Sequence, residues 1–216
     1  MITNQLAQYY AVSAATYDEV YEQPEREDDL EDLHDMIAGA LEGHKVLELG
    51  CGTGYWTETI ADVAASVHAI DFCPEMLALA RERGLDEDIV EFSQMDAFAL
   101  PDSPGRYTAV FAAGFWSHVK REEQEKFLKG LRAKLGKDVL IVLLDNTYVD
   151  GVSTVFARTD LEGNTFQIRL AADGQRYEVL KNYPTDSALR KKMATAAREI
   201  RVERLEYYYI LSCRLK

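Results

Sequence analysis

Cysteine is scarce in this chain. Cys51, Cys73 and Cys213 are odd in number, scattered and without metal-ligand spacing, so neither a disulfide framework nor a cysteine metal centre is expected, and a reducing compartment is. Apolar runs long enough to span a membrane are missing. Met1–Leu6 also lacks a basic flank leading into an apolar stretch, so a cytoplasmic protein with no membrane partner is the expectation. Basic residues are outnumbered, 24 Lys and Arg against 37 Asp and Glu, for a formal net charge of −13. Such a surface repels a phosphate backbone, which argues against nucleic acid as a partner and otherwise reads as ordinary solubility. Internal repeats, low-complexity tracts and linker-like stretches are absent as well. With 216 residues and 47% hydrophobic content, one domain over 1–216 is expected, with a small molecule as its partner and no metal. None of these features sets an oligomeric state.

What the chain does have is concentrated in Val46–Thr57. The apolar run from Val46 suits a buried parallel strand, and Gly50, Gly52 and Gly54 suit a tight turn where backbone approaches a ligand. A helix follows, with Trp56, Ile60 and Val63 on one face. Free N–H groups at such a helix start form a cradle. A dinucleotide fingerprint would need glycine at position 55, where Tyr stands. Glu48, two residues before the first glycine, repels a pyrophosphate and attracts an amino group or sulfonium.

The remainder reads in order around that turn. Residues 1–42 form a helical cap. Tyr10, Ala14, Tyr17 and Tyr21 make one helical stripe, and a second helix buries Leu30, Leu33, Ile37 and Leu41 behind a carboxylate-rich face that includes a surface His34. In 43–145, strands at Val67–Ile70, Ile89–Phe92, Tyr107–Ala113 and Val139–Leu144 alternate with helices opened by Pro74 and by Glu122, and a loop spans Pro101–Gly105. Gly50, Asp71, Asp96 and Gly114 fall at the carboxyl ends of successive strands, where a doubly wound sheet binds ligands. In 146–216, Phe166–Leu170 and Arg176–Lys181 flank Asp173-Gly174 as a β-hairpin, followed by a helix over Ser187–Arg198 and a closing strand pair at Ile200–Leu205 and Tyr208–Leu215. The expected fold is α/β: a Rossmann-like, mostly parallel seven-stranded sheet with helices on both faces, a helical cap, and a hairpin near the site.

Glu48-Leu49-Gly50-Cys51-Gly52-Thr53-Gly54, with Asp71 after the second strand and Asp96 after the third, resembles the class I S-adenosylmethionine-dependent methyltransferases over roughly residues 40–145. The resemblance implies that Glu48, Gly50, Gly52, Gly54, Trp56 and Tyr17 surround the methionine end of S-adenosylmethionine. It implies that Asp71 takes the ribose hydroxyls, that Phe72 and Met76 line the adenine, and that Asp96, Ala97 and Phe98 read its edge. Ala113 and Gly114 would face the sulfonium. Asp96 reads equally well as a turn cap.

Beyond that core, Tyr9-Tyr10, Tyr17-Asp18, Gly54-Tyr55-Trp56-Thr57, Trp116-Ser117-His118-Val119 and the hairpin resemble small-molecule methyltransferases of natural-product pathways, some acting on a phosphonate oxygen and others on ring nitrogens or hydroxyls. The Asn/Asp-Pro-Pro-Tyr element of nucleic-acid amine methyltransferases is absent. His118 is the candidate base, with a positioning role as the alternative. Phe115, Trp116, Tyr21 and Tyr177 are candidate aromatic walls for the acceptor, or core, and Tyr10 is a further candidate acceptor contact. Arg169 and Lys181 are candidate anion clamps, or solvated strand charges. The expected reaction is methyl transfer to nitrogen or oxygen of a small molecule. A non-catalytic S-adenosylmethionine-binding regulator and a nicotinamide-dependent oxidoreductase are the alternatives.

Overall fold

The computed structural model describes residues 4–102 and 105–216. Of the loop expected over Pro101–Gly105, Ser103 and Pro104 lie outside the described residues. The elements in chain order are α1 (Asn4–Ser13), α2 (Glu27–Leu41), β1 (Lys45–Leu49), α3 (Tyr55–Ala61), β2 (Ser66–Asp71), α4 (Pro74–Glu82), β3 (Val90–Gln94), β4 (Ala109–Ala113), α5 (Gln124–Leu135) and β5 (Leu140–Asn146). They continue with β6 (Arg158–Thr159), β7 (Thr165–Leu170), β8 (Arg176–Leu180), α6 (Asp186–Met193), β9 (Ala197–Arg204) and β10 (Tyr208–Leu215).

Seven strands form one sheet in the order β3-β2-β1-β4-β5-β10-β9. The first five are parallel; β10 runs antiparallel to β5, and β9 to β10. The strands are short apolar runs, and their alternation feeds two cores. Leu47, Leu49, Val110, Ala112, Ile141 and Leu143 pack with α5 and α6 on one face. Val46, Ala69, Phe111, Val142 and Leu144 pack with α2 and α3 on the other. Helices cover both faces, as the mostly parallel sheet requires. Leu30, Leu33, Ile37 and Leu41 are the buried stripe of α2, and Pro74 opens α4 at a position that needs no N–H partner. Among the described residues, no helix is long and apolar enough to cross a membrane.

The chain leaves β1 toward β2 and β3 on one side, then returns to place β4 and β5 on the other. The carboxyl ends of β1 and β4 therefore border the crevice where the winding reverses. Gly50 and Gly114 are the residues at those two ends.

Four local expectations are corrected. The tyrosine stripe is not one α-helix: α1 ends at Ser13 and a 3-10 segment, Ala14–Val20, continues it. Offsets of four, three and four fit both forms, so the periodicity could not tell them apart. The late hairpin carries a third strand, giving the sheet β6-β7-β8. The last helix stops at Met193 because Ala197–Arg204 pairs antiparallel with β10, so strand pairing overrides an alanine-rich sequence that favours helix. His34 is also not a plain surface residue: its ring nitrogens bond Thr59 Oγ1 at 2.6 Å and the Tyr55 hydroxyl at 3.2 Å.

Candidate active site

At the end of β1, Gly50 has φ +70° and Gly52 φ +57°, a left-handed path that disfavours a side chain. A Cβ on Gly50 would stand 3.3 Å from Phe115 Cδ2, and one on Gly52 would stand 4.0 Å from Tyr17 Cε1. The turn is thereby exposed to a ligand from the side where Tyr17 closes over it. Gly50 N–H and Cys51 N–H donate to Ile70 O at 2.8 and 3.0 Å, which fixes the turn against β2.

Asp71, at the end of β2, braces the same turn. Its Oδ2 accepts from Gly52 N–H at 2.9 Å and its Oδ1 from Cys73 N–H at 2.8 Å. Burial raises its pKa, and the backbone donors oppose the rise. A carboxylate offers about four acceptor positions; the Cys73, Gly52 and Phe72 N–H groups all bear on this one, and Asp71 also lines a cavity. That cavity, of about 70 Å³, is lined by Gly50, Gly52, Asp71, Phe72, Met76, Ala97, Phe98 and Phe115, and roofed by Leu6, Tyr10 and Tyr17 of the cap.

A second cavity of about 570 Å³ lies beyond it, under the cap and against β5 and the late sheet. Tyr10, Tyr17, Ala113, Gly114 and His118 line both spaces. They form the junction between them. Gly114, at φ +62°, would place a Cβ 4.0 Å from the Tyr17 hydroxyl, so this strand end also lies bare beneath the phenol.

His118 ends the 3-10 turn Trp116–His118 after β4. Its Nδ1 pairs with the Leu180 carbonyl, which only a protonated Nδ1 can satisfy. Nε2 is left as an acceptor, and Tyr10 OH donates to it at 2.9 Å. Burial first, then Lys181 and Arg169, push the His118 pKa down to about 3. The imidazole is therefore neutral in the neutral range, with its Nε2 lone pair accepting from Tyr10. Burial also pushes Tyr17 up to about 12 and Tyr10 well above its ordinary value, so both phenols keep their protons.

The two expected anion clamps differ in kind. Lys181 is buried and donates to Asp145 Oδ1 at 2.8 Å and Asn146 Oδ1 at 2.9 Å. Burial opposes ionisation of Asp145, and Lys181 overcomes it, so the carboxyl pKa lies below its ordinary value. Asp145 Oδ2 also accepts from Ser117 N–H at 2.8 Å, tying β5 to the turn that carries His118. One Lys181 N–H is uncommitted. Arg169, by contrast, donates to the neutral Gln167 Oε1 at 3.2 Å and lies over the Tyr9 ring at 5.4 Å. It forms no ion pair among the described residues, and it lines the larger cavity.

Six expected site residues stand elsewhere. Glu48 is buried behind the turn on the α3 face, where its Oε2 accepts from Thr57 Oγ1 at 2.7 Å; burial raises its pKa to about 8, so it is mainly a neutral acid at pH 7 and lines neither cavity. A Cβ on Gly54 would meet Ala80 Cβ at 3.2 Å, so this glycine serves the packing of α3 on α4. Trp56 lines the larger cavity, not the one at Asp71. The Asp96 side chain accepts from Phe98 N–H at 2.8 Å and caps the turn that presents Ala97 and Phe98. Trp116 is core, because the 3-10 turn directs it at Phe127 while its neighbours face the cavities. Tyr177 lies four residues along β8 from Lys181, about 13 Å at strand rise, where it packs on Tyr9 and donates to Asp173 Oδ2. Tyr21 does line the larger cavity.

The sequence reading left out Asp145 and the Asp18–Arg83 clasp. Asp145 closes the apolar run of β5 as Asp71 closes β2, a signal that was available. Asp18 accepts from Thr53 Oγ1 and pairs with Arg83, which also pairs with Glu58 and donates from Nε to Thr53 O at 2.6 Å. The clasp joins cap, glycine turn, α3 and α4.

A bare glycine turn at the winding reversal, an acid closing β2, and the closing antiparallel pair together make the fold that of the class I S-adenosylmethionine-dependent methyltransferases. Residues 46–138 match the family model described as a methyltransferase domain. The chain is similar to DhpI in its S-adenosylhomocysteine complex, at 27% identity and TM-score 0.79, covering 98% of this chain and 95% of that one. It is likewise similar to the DhpI–SAM–HEP complex, at 28% identity and TM-score 0.78, over 97% and 96%. CcbJ methyltransferase from Streptomyces caelestis, at 20% identity and TM-score 0.68 over 96% and 98%, shares the fold. The ubiquinone biosynthesis O-methyltransferase of Bordetella avium (strain 197N) is 34% identical over 85 residues, 38% of this chain. The match spans about a third of that relative's length, 35%.

Proposed function

We propose that this protein methylates an oxygen of a small anionic acceptor, such as a phosphonate, using S-adenosylmethionine. The observation that carries the reading is Arg169: a partly buried guanidinium with no carboxylate partner among the described residues, in a cavity that joins the cofactor cradle at Gly114 and His118. The two DhpI complexes, one with SAM and HEP and the other with SAH, agree with the cofactor.

The residues of the narrow cavity fit the cofactor's nucleoside end. Asp71 has acceptor capacity left for a hydroxyl, and Phe72, Met76 and Phe98 supply apolar walls for a flat ring. At about 70 Å³ the space is smaller than the roughly 300–1,000 Å³ of drug-sized ligand sites. Binding therefore displaces Leu6 and Tyr17 of the cap outward, while Tyr10 stays on His118.

S-adenosylmethionine supplies an electrophilic methyl on a good leaving group. The protein supplies alignment and dryness. Arg169 and the spare Lys181 N–H hold an ionised oxygen, which needs no base; one C–S bond breaks, one C–O bond forms, and the acceptor's negative charge cancels the sulfonium's positive charge. His118 positions: its Nδ1–H is spent on Leu180 O, and its Nε2 fixes the Tyr10 hydroxyl at the junction. The test is S-adenosylhomocysteine release from S-adenosylmethionine with a panel of alkylphosphonates and, in parallel, neutral hydroxy and amino heterocycles. Turnover with the phosphonates is expected. Turnover confined to the neutral heterocycles overturns the reading.

A further inference from the structure

The larger cavity has more room and more donors than one anionic group uses. Its volume, about 570 Å³, corresponds to a drug-sized molecule. Away from the junction its wall is built by Arg26, Thr147, Tyr207 and Tyr208. Arg26 is partly buried and forms no ion pair among the described residues; one of its Nη atoms reaches the Val20 carbonyl at 3.4 Å, and the guanidinium lies 5.8 Å from the Tyr207 ring centre. Its Nε is buried with no hydrogen-bond partner. Tyr208 is 4% exposed, and its hydroxyl is likewise buried without a partner.

Buried donors ordinarily have partners, because leaving one unpaired is costly. Here two stand side by side at the cavity wall, where burial raises the Tyr208 pKa and the Arg26 guanidinium beside it opposes the rise. Of the acids nearby, Asp29 accepts from Tyr207 N–H at 2.7 Å, and Glu19 and Gln23 line the same cavity as Arg26.

We propose that Arg26 and Tyr208 form a second anion subsite, so that the acceptor is an extended molecule with a reacting anion at Arg169 and a second anionic group, such as a carboxylate, at Arg26. The proposal rests on the reading of Arg169 as the clamp for the reacting group. It makes Arg26 a specificity residue that acts on acceptor affinity and leaves the chemistry alone.

The probes are ω-carboxyalkylphosphonates of increasing chain length and n-alkylphosphonates of matched length. With wild-type protein, one range of lengths should show a KM about tenfold lower with the carboxylate than without, at similar kcat. Arg26→Met should abolish that difference while leaving kcat, the KM of the plain alkylphosphonates and the affinity for S-adenosylmethionine unchanged. Tyr208→Phe should reduce it by a smaller factor. Calorimetric binding of the same probes to the S-adenosylhomocysteine-saturated protein reads the subsite without turnover. Carboxylate-dependent, Arg26-dependent binding with no methylation would uphold the subsite and overturn the methyl-transfer reading. Methylation indifferent to the carboxylate at every length, or a carboxylate effect that survives Arg26→Met, overturns the subsite. Absence of both binding and methylation overturns both.

Discussion

The two cavities that meet at Gly114 are built in different ways. The narrow one is made by strand ends: Gly50 and Gly52 after β1, Asp71 after β2 and Gly114 after β4 are held by backbone hydrogen bonds to the sheet. The larger one is made by side chains from elements far apart in sequence, namely the cap, the end of β5 and the sheet β6-β7-β8. Positions fixed by a sheet recur wherever that sheet is used, so the first cavity suits a ligand common to a family. Positions set by long side chains on variable elements change readily, so the second suits an acceptor that distinguishes one member from another.

This division predicts separable effects. The largest is expected at Arg169. Arg169→Met should raise the KM for an anionic acceptor on the order of a hundredfold, as the loss of a shielded charge pair does, with S-adenosylmethionine affinity within twofold of wild type by calorimetry. Asp71→Asn should do the reverse. An amide cannot accept from both Gly52 N–H and Cys73 N–H without turning its own NH₂ toward one of them, so cofactor affinity should fall roughly thirtyfold, or about 2 kcal/mol. Acceptor KM at saturating cofactor should stay near wild type.

Smaller effects lie at the boundary. The Arg83–Asp18 pair is partly exposed, with 19% and 36% of the two side chains accessible, so its contribution is screened. Arg83→Met should quicken S-adenosylhomocysteine release about threefold in stopped-flow, because the cap carrying Tyr17 loses its tie to the glycine turn, while acceptor KM stays unchanged. The smallest effect on either ligand is expected at Glu48. Its folded pKa of about 8 lies above the ordinary 4.5, so the folded chain retains a proton that the unfolded chain releases as pH rises. That contribution to stability is fully present below about 4.5 and is lost on rising through 8. Glu48→Gln mimics the protonated acid. Its thermal midpoint should lie near wild type at pH 5 and exceed it by roughly 10 °C at pH 8.

The same contrast explains what could be seen in the sequence. The sheet, its strand ends and most residues of the narrow cavity were legible, because burial imposes a repeat on each strand and a glycine or acid interrupts it where the strand leaves the core. Asp71 and Gly114 stand at the strand ends that this logic marks, and Phe72, Met76 and Ala97, singled out only by the family resemblance, line the same cavity as Asp71. The acceptor side offered no such repeat. Trp116 and His118 are two residues apart in one 3-10 turn, yet one is core and the other lines both cavities, and no periodicity distinguishes them. Tyr177 and Lys181 share a strand face but lie at different distances along it. Arg26 became visible only when the fold brought α2's start against Tyr208, 182 positions later in the chain. Glu48 misled for a different reason: a carboxylate beside a glycine turn reads as a ligand contact, whereas the pleat of β1 turns it toward Thr57.

The most direct test of the division is a double-mutant cycle on kcat/KM for alkylphosphonate methylation at subsaturating S-adenosylmethionine, using Arg169→Met, Asp71→Asn and their combination. Two separately built cavities predict that the double variant loses the product of the two single losses, within about 0.5 kcal/mol. A double variant no worse than the weaker single one would show a single undivided site and would contradict the account.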